Sequence, residues 1–245
     1  MNVINAVKVF VHCTNQTYIG SNQDGGYAES MLAKATGLVA IPEGLDSVDA
    51  APLLCAGLAT FNALKKSGAQ AGDLVAIQGI GGLGHLALQY AHKMGFRVVA
   101  IGRGDDISDD VKKLGAHIYI DTNTQDTIAE LQKLGGAKLI LTTVGNASVV
   151  VSPLMAGLEP KGKLILLGAG KDPLSLSSGK LVVGDNIIQG SLTGTPHDSE
   201  KTLDFSLLAN IRPEIETVPL VGVNDALQRL RAGDVKFRFV IQMNA

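Results

Sequence analysis

The chain has 245 residues, of which 46% are hydrophobic and 18% are charged. It carries 21 Lys and Arg residues against 23 Asp and Glu residues, which gives a formal net charge of −2. This balance argues against a nucleic-acid partner and against attraction to a membrane surface, because both need clustered positive charge. Two cysteines are too few for a disulfide framework and favour a reducing compartment. The high aliphatic content allows a large core, and the 29 glycines with only 4% aromatic residues suggest tight helix–sheet packing and many turns.

The beginning of the chain shows no targeting pattern. Residues 1–11 are mildly apolar, but they are few, include Asn and Lys, and precede no small-residue cleavage site. We therefore expect neither a signal peptide nor a membrane span, and a cytoplasmic protein. Residues up to 48 are rich in turn formers such as Asn22 and Gly25, so only short strands are predicted there, one of them over residues 27–32.

The middle of the chain alternates short aliphatic runs with helical patterns. The runs have little polar alternation, which predicts strands buried on both faces of a parallel sheet. Alternation of strands and helices predicts right-handed βαβ units, and hence a doubly wound Rossmann sheet. The predicted strands cover residues 74–78, 97–101, 117–120, 138–142, 163–167 and 187–192, and the predicted helices cover residues 84–94, 109–114, 127–134 and 147–158.

The last fifty residues return to a different pattern. Thr195 is placed to cap a helix whose first turn contains Pro196, and Asp198 complements the helix dipole. This helix is predicted to reach residue 210, followed by a second helix over residues 225–231 and a final strand over 237–242. The predicted domains are residues 1–48, 49–194 and 195–245, with the two flanks forming one lobe.

A glycine-rich turn follows the first predicted strand and opens the next helix. Its sequence is Gly79-Ile80-Gly81-Gly82-Leu83-Gly84, which has the spacing of a dinucleotide-binding fingerprint in the required strand–turn–helix context. Gly79 is expected to make the tight turn, Gly81 to let the backbone approach a pyrophosphate, and Gly84 to allow close helix–strand packing. The backbone amides of Gly82 and Leu83 complete the predicted phosphate site. A plain glycine-rich turn is the alternative interpretation.

The end of the second predicted strand indicates which dinucleotide is bound. NAD-binding domains carry an acidic residue there for the ribose hydroxyls, but this chain has Gly102 followed by Arg103. A missing carboxylate and an adjacent guanidinium favour NADP(H) over NAD(H). Asp105 and Asp106 leave the alternative open, because either could pair with Arg103 or reach the ribose.

These features, taken together, resemble the medium-chain, zinc-type alcohol dehydrogenase-like family, especially its fungal and yeast-like members. The resemblance implies a GroES-like catalytic lobe before the Rossmann domain, of which this chain would keep only a remnant, and a return to that lobe at the C-terminus. The stretches that carry it are Asp-Gly-Gly-Tyr-Ala-Glu at 24–29, Ala-Pro-Leu-Leu-Cys-Ala-Gly at 51–57, the glycine turn through Ala87, Leu-Gly-Ala at 114–116, Gly-Ser at 190–191, Arg-Pro at 212–213 and Phe-Arg-Phe-Val at 237–240.

The zinc ligands of that family are largely missing. The resemblance implies a catalytic zinc held by an early cysteine, the histidine of a Gly-His-Glu motif and a later cysteine. Cys55 matches the later cysteine, but the sequence contains no Gly-His-Glu motif. Cys13 matches only the last of four structural-zinc cysteines. A single ligand cannot hold zinc, so we expect no metal and interpret Cys55 as a small buried residue at a helix start.

The resemblance also assigns further site residues. Val144, Gly145, Leu167 and Gly168 follow the fourth and fifth strands and are implied to line the nicotinamide site, as expected at the carboxyl edge of an open sheet. Arg238 is implied to reach the pyrophosphate. A threonine that family members often carry near the nicotinamide is replaced by Ala59, with Thr60 beside it, which argues against a proton relay at this position.

Candidate proton donors are few, and the function stays open at this level. Tyr18, Tyr27 and His197 are the candidates, each of which could also be a structural or solvated residue. One hypothesis is a zinc-independent NADP(H)-linked oxidoreductase acting on a small carbonyl, an enone or a secondary metabolite. The alternatives are a repurposed non-redox enzyme of the isomerase or cyclase type, a cofactor-binding pseudoenzyme, or an incomplete chain.

A homodimer is the expected assembly. Residues 183–195 resemble the segment through which family members pair their Rossmann sheets edge to edge. An unpaired strand at a sheet edge presents free backbone groups that favour pairing with a second copy.

Overall fold

A computed structural model describes residues 17–145 and 147–243, with the side chains of residues 147 and 148 left undescribed. The described chain forms two compact units, Ala59–Leu192 and a second unit made of residues 17–58 and 193–243. The division falls inside one continuous helix, α1, which covers Ser47–Lys65. The predicted domain boundary at residues 48 and 49 lies at the start of this helix. The predictions for residues 1–11 and for Cys13 lie outside the described residues.

The unit Ala59–Leu192 is built on a six-stranded parallel sheet in the order β3-β2-β1-β4-β5-β6. This order is that of a Rossmann domain, with the topological switch between β1 and β4. The predicted fold class is therefore confirmed. The strands are β1 (Leu74–Gln78), β2 (Arg97–Gly102), β3 (Ile118–Asp121), β4 (Ala137–Thr142), β5 (Leu158–Leu166) and β6 (Ile187–Gly190).

The sheet is covered by helices on its faces, which explains the continuous aliphatic runs of its central strands. Val75, Ala76 and Ile77 of β1 are all fully buried, as expected for a strand with no solvent-facing side. A 3₁₀ turn, Asp105–Ile107, leads directly into the third helix. The helices are α2 (Gly84–Lys93), α3 (Ser108–Lys113), α4 (Thr127–Lys133) and α5 (Ser178–Gly184).

The segment after β4 differs from the prediction of a helix over residues 147–158. It forms a wide π turn, Ala147–Val151, and then a 3₁₀ stretch, Ser152–Gly157. Pro153 lacks an N–H group and so interrupts regular helical hydrogen bonding. A Cβ atom at Gly157 would lie 2.6 Å from Cδ1 of Leu131, so the tight packing of this segment also requires glycine. Strand β5 consequently begins at Leu158, earlier than predicted.

The second unit contains the first part of α1, a 3₁₀ turn at Ala35–Gly37, and the C-terminal elements. Helix α6 has the predicted cap, because the Thr195 hydroxyl accepts the Asp198 N–H at 3.2 Å and the Asp198 carboxylate accepts the Thr195 N–H at 3.0 Å. The remaining elements are α6 (Pro196–Leu208), β7 (Ile215–Val218), a 3₁₀ turn (Leu220–Gly222), α7 (Val223–Ala232) and β8 (Arg238–Ile241), with β7 and β8 paired in parallel.

The predicted strand over residues 27–32 is wrong. These residues form bends without a ladder, and the described part of the segment has only an isolated bridge between Ile19 and Gln23. Tyr27 is 69% exposed and Leu32 is 94% exposed, so their alternation does not mark a buried strand face. A strand needs a partner strand to satisfy its backbone hydrogen-bonding groups. Among the described residues no partner strand pairs with this segment, and a local sequence pattern does not reveal that.

Among residues 17–145 and 147–243, one helix has the length and apolar character of a membrane span. It is α1, Ser47–Lys65, with a mean hydropathy of 1.3 in its most apolar window. Because 67% of that window is buried inside the protein, the apolar character of this helix matches its place in a protein core.

Candidate cofactor-binding site

The glycine turn joins the end of β1 to the start of α2. Gly79 has a φ of +87°, a conformation that side chains rarely adopt. A Cβ atom at this position would also lie 2.6 Å from Oγ1 of Thr143 and 2.8 Å from Cγ2 of Val144. The turn after β1 and the loop after β4 therefore touch one another, and only glycine fits between them.

The two remaining glycines of the fingerprint differ in their surroundings. A Cβ atom at Gly84 would lie 2.0 Å from the carbonyl oxygen of Gly79, so the close approach of helix and strand requires glycine there. A Cβ atom at Gly81 would meet no atom within 4 Å. Internal packing thus explains Gly79 and Gly84 but leaves Gly81 unexplained. A glycine that faces open space at a helix start is what close approach of a pyrophosphate to the backbone requires.

The buried imidazole of His85 fixes the carbonyl of Gly81. Its Nδ1 lies 3.1 Å from the Gly81 oxygen, and since a carbonyl only accepts, Nδ1 carries the proton. The backbone N–H of His85 donates to the same oxygen at 3.0 Å. Both bonds turn this carbonyl into the helix and away from the open side of the turn. The sequence signal for this role is a histidine four residues after the middle glycine.

The loops after β4 and β5 are packed against one another at the same edge of the sheet. A Cβ atom at Gly168 would lie 2.4 Å from the carbonyl oxygen of Val144, and one at Gly145 would lie 2.9 Å from that of Ala169. The Leu167 N–H donates to the Thr142 carbonyl at 2.9 Å. The residues predicted to line the nicotinamide site are thus brought together beside Gly79, and their contact with a cofactor stays a prediction.

Three polar side chains that sequence reasoning missed support this edge. The Thr142 hydroxyl donates to Oε1 of Gln78 at 2.8 Å, and both side chains are buried. The Thr143 hydroxyl donates to the carbonyl of Gly79 at 2.9 Å. These bonds cross-link the ends of β1 and β4 directly beneath the turn. Polar residues at the ends of two otherwise aliphatic runs were the available signal.

The turn after β2 contains the residues that the sequence assigned to cofactor choice. A Cβ atom at Gly102 would lie 2.8 Å from Cδ1 of Ile107 and 3.1 Å from the Tyr119 ring, so a side chain at this position would have to shift the end of Ile107 and press against that ring. Arg103 is exposed, and within the described residues it forms no ion pair with Asp105 or Asp106. The alternative in which those carboxylates hold Arg103 is therefore not what the structure shows.

Two side chains of β3 bind this turn. The Tyr119 hydroxyl donates to the carbonyl of Gly104 at 2.6 Å, and Oδ1 of Asp121 accepts the Gly104 N–H at 2.8 Å. Burial raises the pKa of Tyr119 to about 12, and the negative charge of Asp121 adds to the shift. Hydrogen bonds from the backbone of Asn123 and Gly104 lower the pKa of Asp121. Tyr119 therefore stays a donor and Asp121 an acceptor at neutral pH.

The candidate proton donors lie in the second unit and are all solvent-exposed. Tyr18 is 53% exposed and Tyr27 is 69% exposed. His197 lies in the first turn of α6, and its Nδ1 is 3.7 Å from Glu200 across one helical turn. Arg238 is half-buried on β8. These four residues belong to a different compact unit from the glycine turn, so their predicted roles at the cofactor stay predictions.

The expected burial of Cys55 is wrong. The thiol is exposed, and the residue lies in a π turn, Leu53–Gly57, in the middle of α1 and not at a helix start. Exposure at this point depends on how neighbouring elements cover the helix, which the local pattern does not encode. Across residues 17–145 and 147–243, no three His, Cys, Asp or Glu side chains are close enough to hold a metal ion. Cys55 alone does not fit a zinc site.

Comparisons with known proteins agree with this fold and turn. The family described as zinc-binding dehydrogenase matches residues 82–207. Alcohol dehydrogenase patD of Penicillium expansum is 42% identical over 234 residues, which cover 96% of this chain and 68% of that protein. The chain belongs to the zinc-type, medium-chain alcohol dehydrogenase-like family.

Solved structures similar to this chain have been determined with NADP(H) and with NAD. The Helicobacter pylori CAD complexed with NADP(H) is 28% identical, with a TM-score of 0.71, over 83% of this chain and 57% of that one. The acetophenone reductase of Geotrichum candidum in complex with NAD is 26% identical, with a TM-score of 0.82, over 94% of this chain and 66% of that one. Membership of the family therefore indicates a nicotinamide cofactor but does not distinguish NADP(H), which carries a 2′-phosphate, from NAD(H).

Proposed function

We propose that this chain binds NADP(H) at the turn Gly79–Gly84 and serves as an oxidoreductase for a small carbonyl, enone or secondary-metabolite substrate, without zinc held by the described residues. The observation that carries the proposal is the contrast within the glycine turn. Gly79 and Gly84 are required by packing, whereas Gly81 faces open space at a helix start. Descent supports the reaction class, since the relatives that cover most of this chain are named alcohol dehydrogenases.

The residues around the turn have separable tasks in this function. The amides at the start of α2 bind the pyrophosphate, helped by the helix dipole. The paired loops containing Val144 and Gly168 orient the nicotinamide end and exclude water from one side of it. The nicotinamide, when bound, supplies or accepts the hydride. Thr142 and Thr143 hold the ends of β1 and β4 in register, so that both loops stay where the cofactor needs them.

Preference for the 2′-phosphate rests on the turn after β2. Gly102 leaves no carboxylate to repel a phosphate, and Arg103 is exposed and not occupied by the neighbouring aspartates. A guanidinium pairs with phosphate in a bidentate manner that a ribose hydroxyl cannot match. Asp105 and Asp106 nevertheless place negative charge close by, so the preference is expected to be moderate.

Two further parts of the proposal concern the proton and the assembly. The catalytic proton donor is not assigned by the sequence, and Tyr18, Tyr27 and His197 remain weak candidates that alanine variants in the activity panel would test. A second copy pairs along β6, which is the edge of the described sheet and is bonded to β5 alone. Ile187 on β6 is 49% exposed, and Val183 in the preceding helix α5 is 90% exposed, so this region presents apolar side chains to a second copy.

The test is a direct titration with NADPH and NADH, followed by an activity panel. The chain contains no tryptophan, so the fluorescence of the reduced nicotinamide can be read without that background. We expect saturable binding of both, tighter for NADPH, and oxidation of bound NADPH by members of a panel of aldehydes, enones and quinones. Absence of binding up to millimolar nucleotide would remove the proposal.

Two other results of these experiments would change the proposed function. Binding without turnover of any panel member favours the non-redox alternatives, namely an isomerase- or cyclase-type enzyme or a cofactor-binding pseudoenzyme. One equivalent of zinc in the purified chain, measured by elemental analysis, would contradict the donor count of the described residues.

A further inference from the structure

Side chains of the neighbouring strand β3 form hydrogen bonds with the backbone of the turn after β2. Gly102 pairs in register with Asp121, and Tyr119 lies two residues earlier on the same face of β3. These two side chains bind both polar backbone groups of Gly104, the carbonyl at 2.6 Å and the N–H at 2.8 Å. Gly104 has a φ of +87°, a conformation open to glycine, and the two bonds from β3 fix this one among the several conformations that glycine can adopt.

Tyr119 also borders the space in which a ribose-binding carboxylate would begin. Its Cε2 and hydroxyl oxygen each lie 3.1 Å from an ideal Cβ atom on Gly102, and Cδ1 of Ile107 lies 2.8 Å from it. A side chain at position 102 would therefore have to move the flexible end of Ile107 and press against a half-buried ring that is tied to Gly104.

Arg103 stands between the two constrained glycines. Its backbone is fixed by Gly102 on one side and by the bonded Gly104 on the other, while its side chain is exposed to solvent. A cation on a fixed backbone loses less conformational freedom when it pairs with a phosphate. The contribution of Arg103 to cofactor choice should thus depend on a tyrosine that never touches the cofactor.

We infer that Tyr119 is a positioning residue for cofactor choice: its hydroxyl bond to Gly104 holds Arg103 ready for a 2′-phosphate, and its ring packs beside position 102. The inference rests on the proposed binding of NADP(H). It extends the cofactor site to β3, a strand that the glycine fingerprint and the β2 terminus do not include. The raised pKa of Tyr119 is consistent with a permanent donor.

The test compares Tyr119→Phe with Thr124→Val. The first variant removes the bond to Gly104 and keeps the ring. The second removes a neighbouring hydroxyl that donates to the other carboxylate oxygen of Asp121 at 3.3 Å and leaves Gly104 untouched. We expect Tyr119→Phe to weaken NADPH binding about five-fold, the equivalent of one neutral hydrogen bond, and to change NADH binding less than about two-fold. Thr124→Val should leave the ratio of the two affinities as in the parent chain.

A second readout needs no nucleotide. Trypsin cuts after exposed arginines, and the fragment ending at Arg103 can be followed by mass spectrometry, with cleavage after the exposed Lys34 as the internal reference. Loss of the bond should accelerate the cut at Arg103 about five-fold relative to Lys34, because cleavage follows the open population of the turn. General unfolding would accelerate both cuts.

The outcomes separate this inference from the proposed function. Equal weakening of NADPH and NADH, or of neither, overturns the positioning role. An unchanged cut at Arg103 overturns the clamp on the turn. If the parent chain binds no dinucleotide while the cut at Arg103 still accelerates, the proposed function fails and β3 is shown to hold the turn for a reason other than cofactor choice.

Discussion

The three fingerprint glycines, Gly79, Gly81 and Gly84, should differ in how their replacement by alanine affects stability and binding. At Gly84 the new methyl would lie 2.0 Å from the Gly79 carbonyl oxygen, so helix and strand must separate. Overpacking of this kind costs about 3 kcal/mol or more, which lowers the melting temperature by roughly 6–12 °C in a chain of this size. At Gly79 the positive φ adds a conformational cost of about 1–2 kcal/mol to a contact of 2.6 Å with Thr143.

Gly81→Ala should behave differently, because its methyl meets nothing within 4 Å. Stability should stay unchanged or rise by about 0.4–1 kcal/mol, since alanine restricts the unfolded chain. The same methyl would stand between the backbone and a pyrophosphate, so NADPH binding should weaken at least about ten-fold. Differential scanning fluorimetry and a fluorescence titration with NADPH measure the two effects on the same samples.

A matched control is Gly37→Ala, at a second position where a Cβ atom meets nothing within 4 Å and φ is not positive. It should affect the melting temperature as little as Gly81→Ala does, by the same argument, and leave the affinity for NADPH unchanged. The reasoning is refuted if Gly81→Ala destabilises the chain as much as Gly84→Ala, or if it binds NADPH as well as the parent does. The first result would mean that Gly81 is an ordinary packing glycine, and the second that the pyrophosphate lies elsewhere.

Four other outcomes are expected. Arg103→Ala should weaken NADPH binding about ten-fold and leave NADH binding within about two-fold in parallel titrations, and equal losses would contradict the assignment of the 2′-phosphate. Thr195→Ala should remove the cap of α6 and cost about 1 kcal/mol in urea unfolding, with Thr195→Ser restoring it; no loss would mean that the reciprocal bonds are not stabilising. The pKa of Tyr119 is raised from 10.0 to about 12, so its contribution to stability is complete below pH 10 and is lost as the pH rises towards 12. The free energy of unfolding of the parent should therefore fall across this window more than that of Tyr119→Phe, and an equal fall in both would contradict the role of the hydroxyl. In light scattering the parent should have twice the mass of one chain, whereas Ile187→Lys at the β6 edge should give a mass near 25.5 kDa. The control Val221→Lys, at a 93% exposed site on the second unit, should keep the mass of the parent.

The sheet could be predicted because its strands are buried on both faces. A strand with no solvent-facing side must be aliphatic throughout, and glycine turns separate such runs clearly in this chain. The cap of α6 was equally readable, since Thr195, Pro196 and Asp198 each have a local physical role. These features depend on interactions within a few residues, or on burial that every residue of a strand shares.

The errors have a common origin in contacts between distant residues. The segment at 147–158 looked helical by its apolar content, but Pro153 and the contact of Gly157 with Leu131 divide it into tighter turns. Tyr119 and Asp121 form hydrogen bonds with Gly104, 15 and 17 residues earlier in the chain, because β3 pairs with β2, and no sequence motif predicts these contacts. The exposure of Cys55 is likewise set by what covers α1.

The sequence predicts the position of the glycine fingerprint and a separate role for each of its glycines. The structure shows a positive φ at Gly79, close packing at Gly84 and open space at Gly81, and the contact of Gly81 with a pyrophosphate stays a prediction. That distinction converts a motif into a physical statement about where a ligand can approach.

The most direct test of the account is an amide NMR titration of the isotopically labelled chain with NADPH. Chemical shifts report changes at individual backbone N–H groups, and a pyrophosphate bound at the start of α2 must perturb those of Gly81, Gly82 and Leu83 more than the rest of the sheet. We expect these three signals to move together and to saturate with the same Kd as the fluorescence. Saturable NADPH binding that leaves all three unmoved would contradict the central claim.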